Sequence, residues 1–313
     1  MNATWEPPVQ LFLSYLQDVR RLSPHTLRAY RSDIAVAADF FSAHGAIYPD
    51  QVTTEILRAF LSEERSRGRS SRSVSRRLSA LRSFFGYLQR THQLDENPVA
   101  RLRSPKVPQT LPRALDPKAR DALFEASSVA GSRFPKRDQA IVELLYGAGL
   151  RVAEAAALHL SDVDLQDRWV TVMGKGNKQR RVPFGRAAAQ ALQAYLREER
   201  PQLTRGKATS MLFLSQRGTA LTTRSIRRIV DHVGWAAGDG HIVPHALRHT
   251  YATDLLRGGA DLKTVQELLG HARLTTTAIY TKVADEELRR HFEAAHPLAE
   301  PKGVAREKEH NDV

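Results

Sequence analysis

The sequence predicts a mainly α-helical protein of two domains joined by a proline-rich linker. Apolar residues recur at intervals of three and four from residue 9 to about 93, as in packed helices. Four prolines interrupt residues 97–112, and only residues 168–184 alternate like a β-hairpin. A length of 313 residues suits about two domains, and a hydrophobic fraction of 42% is enough for packed cores. We expect domains at 1–97 and 113–297, a basic linker at 98–112 and a disordered charged tail at 298–313.

Four helices are expected in the N-terminal domain. The first carries the apolar residues between Leu11 and Val19. The second begins at Ser23-Pro24, an N-cap followed by a proline in the first turn, and stops before Gly45. The third runs from about Thr54 to Gly68, and the fourth starts after Ser70-Ser71 with an apolar face from Val74 to Leu88.

Arginines occupy the polar side of this fourth helix and the turn before it. Every charged residue between Arg65 and Arg90 is an arginine. A solvated helix face is the ordinary alternative, but such a face mixes both signs of charge to form pairs four residues apart. A surface that contacts phosphates excludes carboxylates. We therefore predict DNA contacts from Arg65, Arg67, Arg69, Arg72, Arg76, Arg77 and Arg82.

The second domain is expected to open at Asp116-Pro117, a cap and first turn, and to continue through the apolar segment 140–146. Its hairpin has strands at 168–173 and 180–184, with Lys175 at the tip. The Gly-Lys-Gly of this turn lacks the spacing of a P-loop, so ATP binding is not predicted. Lys178 and Arg180 of the same hairpin join the predicted DNA contacts.

The overall charge favours a polyanionic partner. Lys and Arg number 47 against 34 Asp and Glu, a net charge of +13. The sequence contains no run of about 18 apolar residues that could span a membrane. Glu6 and the two prolines that follow it fit neither a signal peptide nor a transit peptide. The absence of cysteine excludes thiolate nucleophiles and cysteine-zinc sites. We expect a protein of the cytoplasm or nucleoid that binds nucleic acid and no membrane.

Two arginines stand where an anion could be held. Arg151 follows the glycine-rich bend 147–150 at the start of a helix, near backbone amides, and Glu154 lies at the offset that would steady it. Arg248 lies three residues after His245, so both face one side of a helix that begins at Pro244.

Other chemistries could use the same side chains. His245 and His249, four apart, could form a zinc pair, but Ala246 stands where the metalloprotease pattern needs a glutamate. We predict no metal and no cofactor. His271 directly follows Gly270 at the end of a helix and is expected on a bend. Tyr280 alone would most often be a half-buried core aromatic, here in a helix capped by Thr275 or its neighbour.

Taken together, these side chains supply a phenol nucleophile, imidazoles and guanidinium groups for attack on a phosphodiester. Their order and local sequence resemble the tyrosine site-specific recombinases (the phage integrase family) and, within them, the Xer type (XerC/XerD), over nearly the whole chain. Ala148 replaces a more usual threonine but touches no catalytic atom. The family's motifs fall on Arg151 (Gly-x-Gly-Leu-Arg), Lys175 (Gly-Lys-Gly-Asn-Lys), His245 and Arg248 (His-x-x-Arg), His271 (Leu-Gly-His) and Tyr280.

The resemblance implies a SAM-like, core-binding N-terminal domain and an α-rich catalytic domain with a small β-sheet. It also implies roles. Tyr280 would attack the scissile phosphate and form a 3′-phosphotyrosyl bond without metal or ATP, while Arg151 and Arg248 would hold the non-bridging oxygens. Lys175 would act as general acid, His245 would assist removal of the tyrosine proton, and His271 would hydrogen-bond the phosphate.

The implied partners are a double-stranded recombination site and three further subunits, identical or from a second Xer recombinase, with a cell-division translocase as a further partner. The favoured role is resolution of chromosome dimers at a dif-like site through a four-way junction. An integrase of a mobile element, a type IB topoisomerase and a non-catalytic DNA-binding protein are the alternatives. The amphipathic segment Ala284–His296 would dock on a neighbouring protomer or pack on its own domain.

Overall fold

The computed structural model describes residues 3–105, 114–129, 131–174, 179–270 and 282–299 of the chain. The backbone divides into two compact units, Met1–Gln109 and Thr110–Val313. Helices dominate the described residues of both units, as the sequence predicts. None of the helices in these ranges is long and apolar enough to cross a membrane.

The N-terminal unit contains the four predicted helices. Serine and threonine caps begin three of them: Ser23, Thr53 and Ser70 each accept a hydrogen bond from the backbone N–H three residues on. The third helix ends before Gly68 because this residue takes a left-handed conformation, with φ of +70°. The helices are α1 (Glu6–Asp18), α2 (Pro24–Ala43), α3 (Thr54–Ser66) and α4 (Ser71–Arg90).

Aromatic side chains fill the core of this unit. Trp5 is fully buried, with its ring centroid 5.7 Å from that of Phe41 and 6.3 Å from that of Phe84. Phe84 in turn meets Phe12 edge to face at 5.5 Å. The rings come from α1, α2 and α4, so one aromatic cluster fixes these helices against each other and leaves the polar side of α4 outward.

The second unit is built around one buried helix. Every residue from Ala140 to Gly147 of α6 is buried, and this helix packs against α5, α8 and α11. Asp116 caps α5 by accepting a hydrogen bond of 2.9 Å from the N–H of Ala119, as the sequence predicts. The helices are α5 (Pro117–Val129), α6 (Pro135–Gly147), α7 (Val152–Ala157), α8 (Arg186–Ala194), α9 (Arg200–Thr204), α10 (Thr223–Ala236), α11 (Pro244–Arg257), α12 (Leu262–Leu269) and α13 (Lys282–Ala295).

A small antiparallel sheet lies on this helical unit, in the strand order β1 (Val163–Asp164), β2 (Trp169–Met173), β3 (Gln179–Pro183). The predicted hairpin is confirmed, with Trp169 opposite Pro183 and Met173 opposite Gln179. The sequence did not indicate β1, because two residues are too short to show alternation.

The C-terminal helix α13 packs on its own unit, the second of the two arrangements expected from the sequence. Phe292 and Ala295 are buried in the core of that unit. A Cβ placed on Gly258 would lie 2.0 Å from the carbonyl oxygen of Ala295, so the ends of α11 and α13 touch. Ala299 is also buried, and its N–H donates to the carbonyl of His296. The core of this unit therefore includes contacts of Leu298 and Ala299, the first two residues of the segment 298–313 that the sequence assigns to the tail.

Candidate active site and nucleic-acid interface

Arg151 stands at the turn between α6 and α7. Gly149 in this turn has φ of +56°, and a Cβ there would lie 2.4 Å from the buried ring of Tyr251, so only glycine fits. Glu154 accepts hydrogen bonds of 2.8 Å from both the backbone N–H and Nη1 of Arg151. The predicted support of Arg151 by Glu154 is confirmed, and it holds the half-exposed guanidinium at the N-terminus of α7.

Arg248 lies on α11 and is buried, with 6% of its surface exposed. Its Nη1 donates to the carbonyl of Gly149, and its Nη2 donates to the carbonyl of Leu269. One side chain thus joins the glycine turn that precedes Arg151 to the end of α12. Both predicted phosphate-binding arginines are therefore connected to the same turn.

The C-terminus of α12 is a meeting point for three arginines. The last carbonyls of a helix lack intrahelical donors and form the negative end of its dipole. Gly270 ends this helix in a left-handed conformation, with φ of +64°. Three guanidiniums donate to successive carbonyls here: Arg180 to Leu268 at 3.1 Å, Arg248 to Leu269, and Arg151 to Gly270 at 3.4 Å.

We call Arg151, Glu154, Arg180 and Arg248 the arginine–glutamate cluster. Burial raises the pKa of Glu154, but the hydrogen bond and charge of Arg180, together with the hydrogen bonds from Arg151, hold that pKa below its ordinary value. Burial, followed by the charge of Arg151, lowers the pKa of Arg248 to about 10. Glu154 and Arg248 are therefore charged at neutral pH. Three guanidiniums against one carboxylate leave an excess of positive charge that suits a phosphate.

Of the four remaining predicted catalytic residues, one lies within the described ranges. His245 is exposed in the first turn of α11, one turn before the buried Arg248. No three His, Asp or Glu side chains in the described ranges come together as metal ligands. Four predicted residues, Lys175, Lys178, His271 and Tyr280, lie outside the described residues.

Five of the arginines predicted to contact DNA are exposed, at the end of α3, in the turn after it and on α4. We call them the arginine face: Arg65, Arg67, Arg69, Arg72 and Arg76. Arg67 pairs with Glu63 at 2.9 Å on the surface of α3 and its end. Arg76 is half exposed and donates to Asp33 of α2 at 2.5 Å. The exposed members keep donors turned to solvent, as a phosphate-binding surface requires.

Three arginines predicted to contact DNA bond to acceptors of the protein itself in the structure. Arg77 is 12% exposed and pairs with Glu64 and Asp33, and Arg82 donates to the carbonyl of Leu102 at 2.8 Å. Arg180 is buried on Glu154. These carboxylates lie on other elements, so a count of charges along one helix or hairpin could not find them. No local spacing links Glu154 to Arg180, 26 residues apart.

Two sequence profiles cover most of the chain. The profile of the phage integrase family matches residues 113–287, and the profile of the phage integrase N-terminal SAM-like domain matches residues 9–92. Together they span the two structural units.

Relatives and a solved structure agree with these matches. The tyrosine recombinase XerC of Oceanobacillus iheyensis is 42% identical over 294 residues, covering 93% of this chain and 96% of that protein. XerC of Mycobacterium sp. (strain KMS) is 43% identical over 300 residues, covering 94% and 100%. A lambda integrase (75–356) dimer bound to a COC′ core site has a TM-score of 0.64 at 20% identity, covering 86% of this chain and 95% of that one, which shows the fold.

The fold and these matches define a tyrosine recombinase, and the chain belongs to the phage integrase family. Within that family it is of the Xer type, with similarity to XerC over 93% of its length. It is a DNA breaking-and-rejoining enzyme.

Proposed function

We propose that this recombinase resolves chromosome dimers at a dif-like site. The observation that carries the proposal is the convergence of Arg151 and Arg248, from α7 and α11, on the end of α12. Two guanidiniums held together in this way can bind both non-bridging oxygens of one phosphodiester. Full-length similarity to XerC proteins favours the chromosomal role over that of a mobile-element integrase.

The proposed reaction needs no external energy source. The Tyr280 oxygen attacks the scissile phosphorus, a 3′-phosphotyrosyl ester forms, and the bond to the 5′ oxygen of the next nucleotide breaks. The ester preserves the bond energy, so a 5′-hydroxyl from the partner strand can reverse the step and rejoin the DNA. Arg151 and Arg248 stabilise the charge that grows on the pentacoordinate phosphorus.

Two proton transfers accompany the attack. His245 assists removal of the phenol proton, for which its exposed place in the first turn of α11 leaves it accessible to DNA. Lys175 gives a proton to the departing 5′ oxygen, and His271 donates a hydrogen bond to the phosphate. Arg248 stays charged throughout, because a pKa of about 10 lies well above neutral pH.

The proposed substrate is double-stranded DNA held in a tetramer. A lambda integrase with this fold binds its core site as a dimer. Here the arginine face of the N-terminal unit and the arginine–glutamate cluster of the second unit supply separate phosphate-binding groups. We propose a homotetramer or a tetramer shared with a second Xer recombinase, acting on the nucleoid in the cytoplasm, with a cell-division translocase as the regulator.

Capture of the covalent intermediate tests this function. The wild-type protein and Tyr280→Phe are incubated with fragmented DNA of the source organism, denatured, and trimmed with nuclease. We expect an adduct only with the wild type, and its attached sequence should read as a palindromic site present once in the chromosome. An adduct at the ends of a mobile element would instead identify an integrase.

Two further results would contradict the proposal. Relaxation of any supercoiled plasmid without preference for sequence would indicate a topoisomerase. A failure of the wild type to form an adduct, with or without an added Xer partner, while it still binds DNA, would indicate a non-catalytic DNA-binding protein.

A further inference from the structure

Arg180 lies on β3 and has 5% of its surface exposed. Its Nη1 and Nη2 donate to the two carboxylate oxygens of Glu154 at 2.8 Å and 3.0 Å. Its Nε donates to the carbonyl of Leu268 at 3.1 Å. One planar guanidinium therefore bridges β3, α7 and the end of α12, with donors on both of its edges in use.

Arg180 shares its carboxylate with Arg151. Oε1 of Glu154 accepts from Arg180 and, at 2.8 Å, from Arg151. The bidentate bond to Arg180 fixes the plane of the carboxylate, and this plane sets where the Arg151 guanidinium can lie. Because Glu154 is buried, its charge is costly without both partners. The buried Arg180 thus sets the orientation of the half-exposed Arg151 through their shared carboxylate.

Arg180 also fixes the end of α12. A Cβ on Gly270 would lie 3.0 Å from Cδ and 3.1 Å from Nε of Arg180, so the side chain packs directly on this glycine. Gly270 is in the left-handed conformation, which already favours glycine there. The carbonyls on either side of this contact bind Arg248 and Arg151. The same side chain therefore holds the point from which the chain continues to His271.

We propose that Arg180 is a positioning residue for strand cleavage, which orients Arg151 through Glu154 and fixes the end of α12 through the carbonyl of Leu268. This inference rests on the proposed recombinase function. It replaces the DNA contact that the sequence predicts for this residue. Arg180 touches no reacting atom; it sets the geometry of a group that does, where a displacement of about 1 Å costs on the order of a hundredfold in rate.

The test compares Arg180→Gln and Arg180→Lys with Arg137→Gln. Arg137 is a matched control, because it is a buried arginine of the same unit that bonds to Asp138 and the carbonyl of Leu214, outside the site. The substrate is a duplex carrying the sequence captured by the wild type, nicked so that the short fragment with the released 5′-hydroxyl dissociates and cleavage cannot reverse. Adduct formation is timed at saturating DNA, DNA affinity is measured by fluorescence anisotropy, and stability by thermal unfolding.

We expect Arg180→Gln to lower the saturated cleavage rate about tenfold to a hundredfold, with the DNA dissociation constant within about twofold of wild type. Arg180→Lys should recover part of the rate, because it keeps a charge but loses the bidentate bond. Arg137→Gln should lower stability while leaving the saturated rate near that of wild type. If Arg180→Gln does not fold, Arg180→Lys and Gly270→Ala, which disturbs the same contact, decide the question.

Three outcomes would overturn the inference. An unchanged saturated rate with reduced stability would give Arg180 a structural role alone. Weaker DNA binding with an unchanged saturated rate would restore the DNA contact. A wild type that forms no adduct would overturn the proposed function, and the inference with it, so the two failures are distinguishable.

A double-mutant cycle checks the route of the effect. If Arg180 acts through Glu154, adding Arg180→Gln to Glu154→Gln should slow cleavage by less than about threefold beyond Glu154→Gln alone. Losses that multiply fully would contradict a shared route.

Discussion

The arginine face of the N-terminal unit and the arginine–glutamate cluster of the second unit use the same side chain in two ways. Members of the face are exposed at the end of α3 and along α4. Arg180 and Arg248 in the cluster are each about 6% exposed and bond to fixed protein acceptors. A guanidinium in water can adapt to many phosphates, whereas a buried one has a single geometry. The acceptors within reach of an arginine therefore decide whether it is free for DNA or fixed in the protein.

This difference also separates the expected effects of mutation. An exposed arginine exchanges water for phosphate, so its loss weakens binding without disturbing the fold. A buried arginine satisfies carboxylates or carbonyls, and its loss leaves these groups unpaired. Activity, stability and salt dependence should therefore respond separately in the two regions.

The largest effect is expected from Arg248→Ala. This change removes one of the two guanidiniums that we propose stabilise the pentacoordinate phosphorus, and we expect cleavage to slow by about a thousandfold, which is about 4 kcal/mol of activation free energy. It also leaves the carbonyls of Gly149 and Leu269 without this donor, so the melting temperature should fall. The rate of adduct formation on the captured site measures the first effect, and calorimetry the second.

Arg248→Lys is the control for charge. It keeps a cation but cannot reach both carbonyls in the same geometry, so the rate should remain well below wild type. A lysine variant as fast as wild type would mean that the site needs only a positive charge, and the contrast with the adaptable arginine face would be lost.

Arg77→Gln should show the next largest effect, on stability and not on DNA binding. Arg77 pairs with the buried carboxylates of Glu64 and Asp33, and its loss removes the ion pair of Glu64 and leaves Asp33 with Arg76 alone. We expect the N-terminal unit to lose about 3 kcal/mol of unfolding free energy. Hydrogen exchange of the α4 amides in the full chain, read by mass spectrometry, measures this. Unchanged exchange in α4 would show that Arg77 is available to DNA after all.

The sequence could predict local features better than the contacts that join elements. Helix starts at Pro24, Ser71 and Pro117 were predictable because caps and prolines act on the nearest backbone. The support of Arg151 by Glu154 was predictable because it spans one helical turn. Arg180 pairs with Glu154, and Arg77 pairs with Asp33, across separate elements. No regular interval along the sequence therefore indicates these pairs.

Glutamate residues of the second unit should respond to pH in opposite directions. Burial raises the pKa of Glu143 to about 7, whereas the burial of Glu154 is outweighed by Arg180 and Arg151 together, which lower its pKa. From pH 4.5 to 7 the unfolded Glu143 loses its proton while the folded one keeps it, so stability falls as pH rises. Glu154 stabilises above its unfolded pKa, and this contribution is lost as pH falls through its lower folded pKa.

Glu143→Gln should therefore stabilise the protein at pH 8 and have little effect at pH 4.5, with a difference of about 3 kcal/mol at most. Glu154→Gln, its matched control, should destabilise at pH 8 and much less in acid, below its folded pKa. Calorimetry of both variants at the two pH values measures this. An equal effect of Glu143→Gln at both pH values would contradict ionisation as the cause.

The smallest effect is expected from Arg72→Gln on the arginine face, and it should be confined to DNA binding. Arg72 is exposed on α4, so its replacement should change unfolding by no more than about 0.5 kcal/mol. Loss of one phosphate contact should weaken binding to the captured duplex about threefold to tenfold at moderate salt. The slope of log affinity against log salt should fall by about one.

Arg77→Gln should leave this slope unchanged, and anisotropy titrations across a salt series compare the two. An unchanged slope in Arg72→Gln, and in the same change at Arg69, would mean that these residues of the arginine face are a solvated surface and that DNA is held elsewhere.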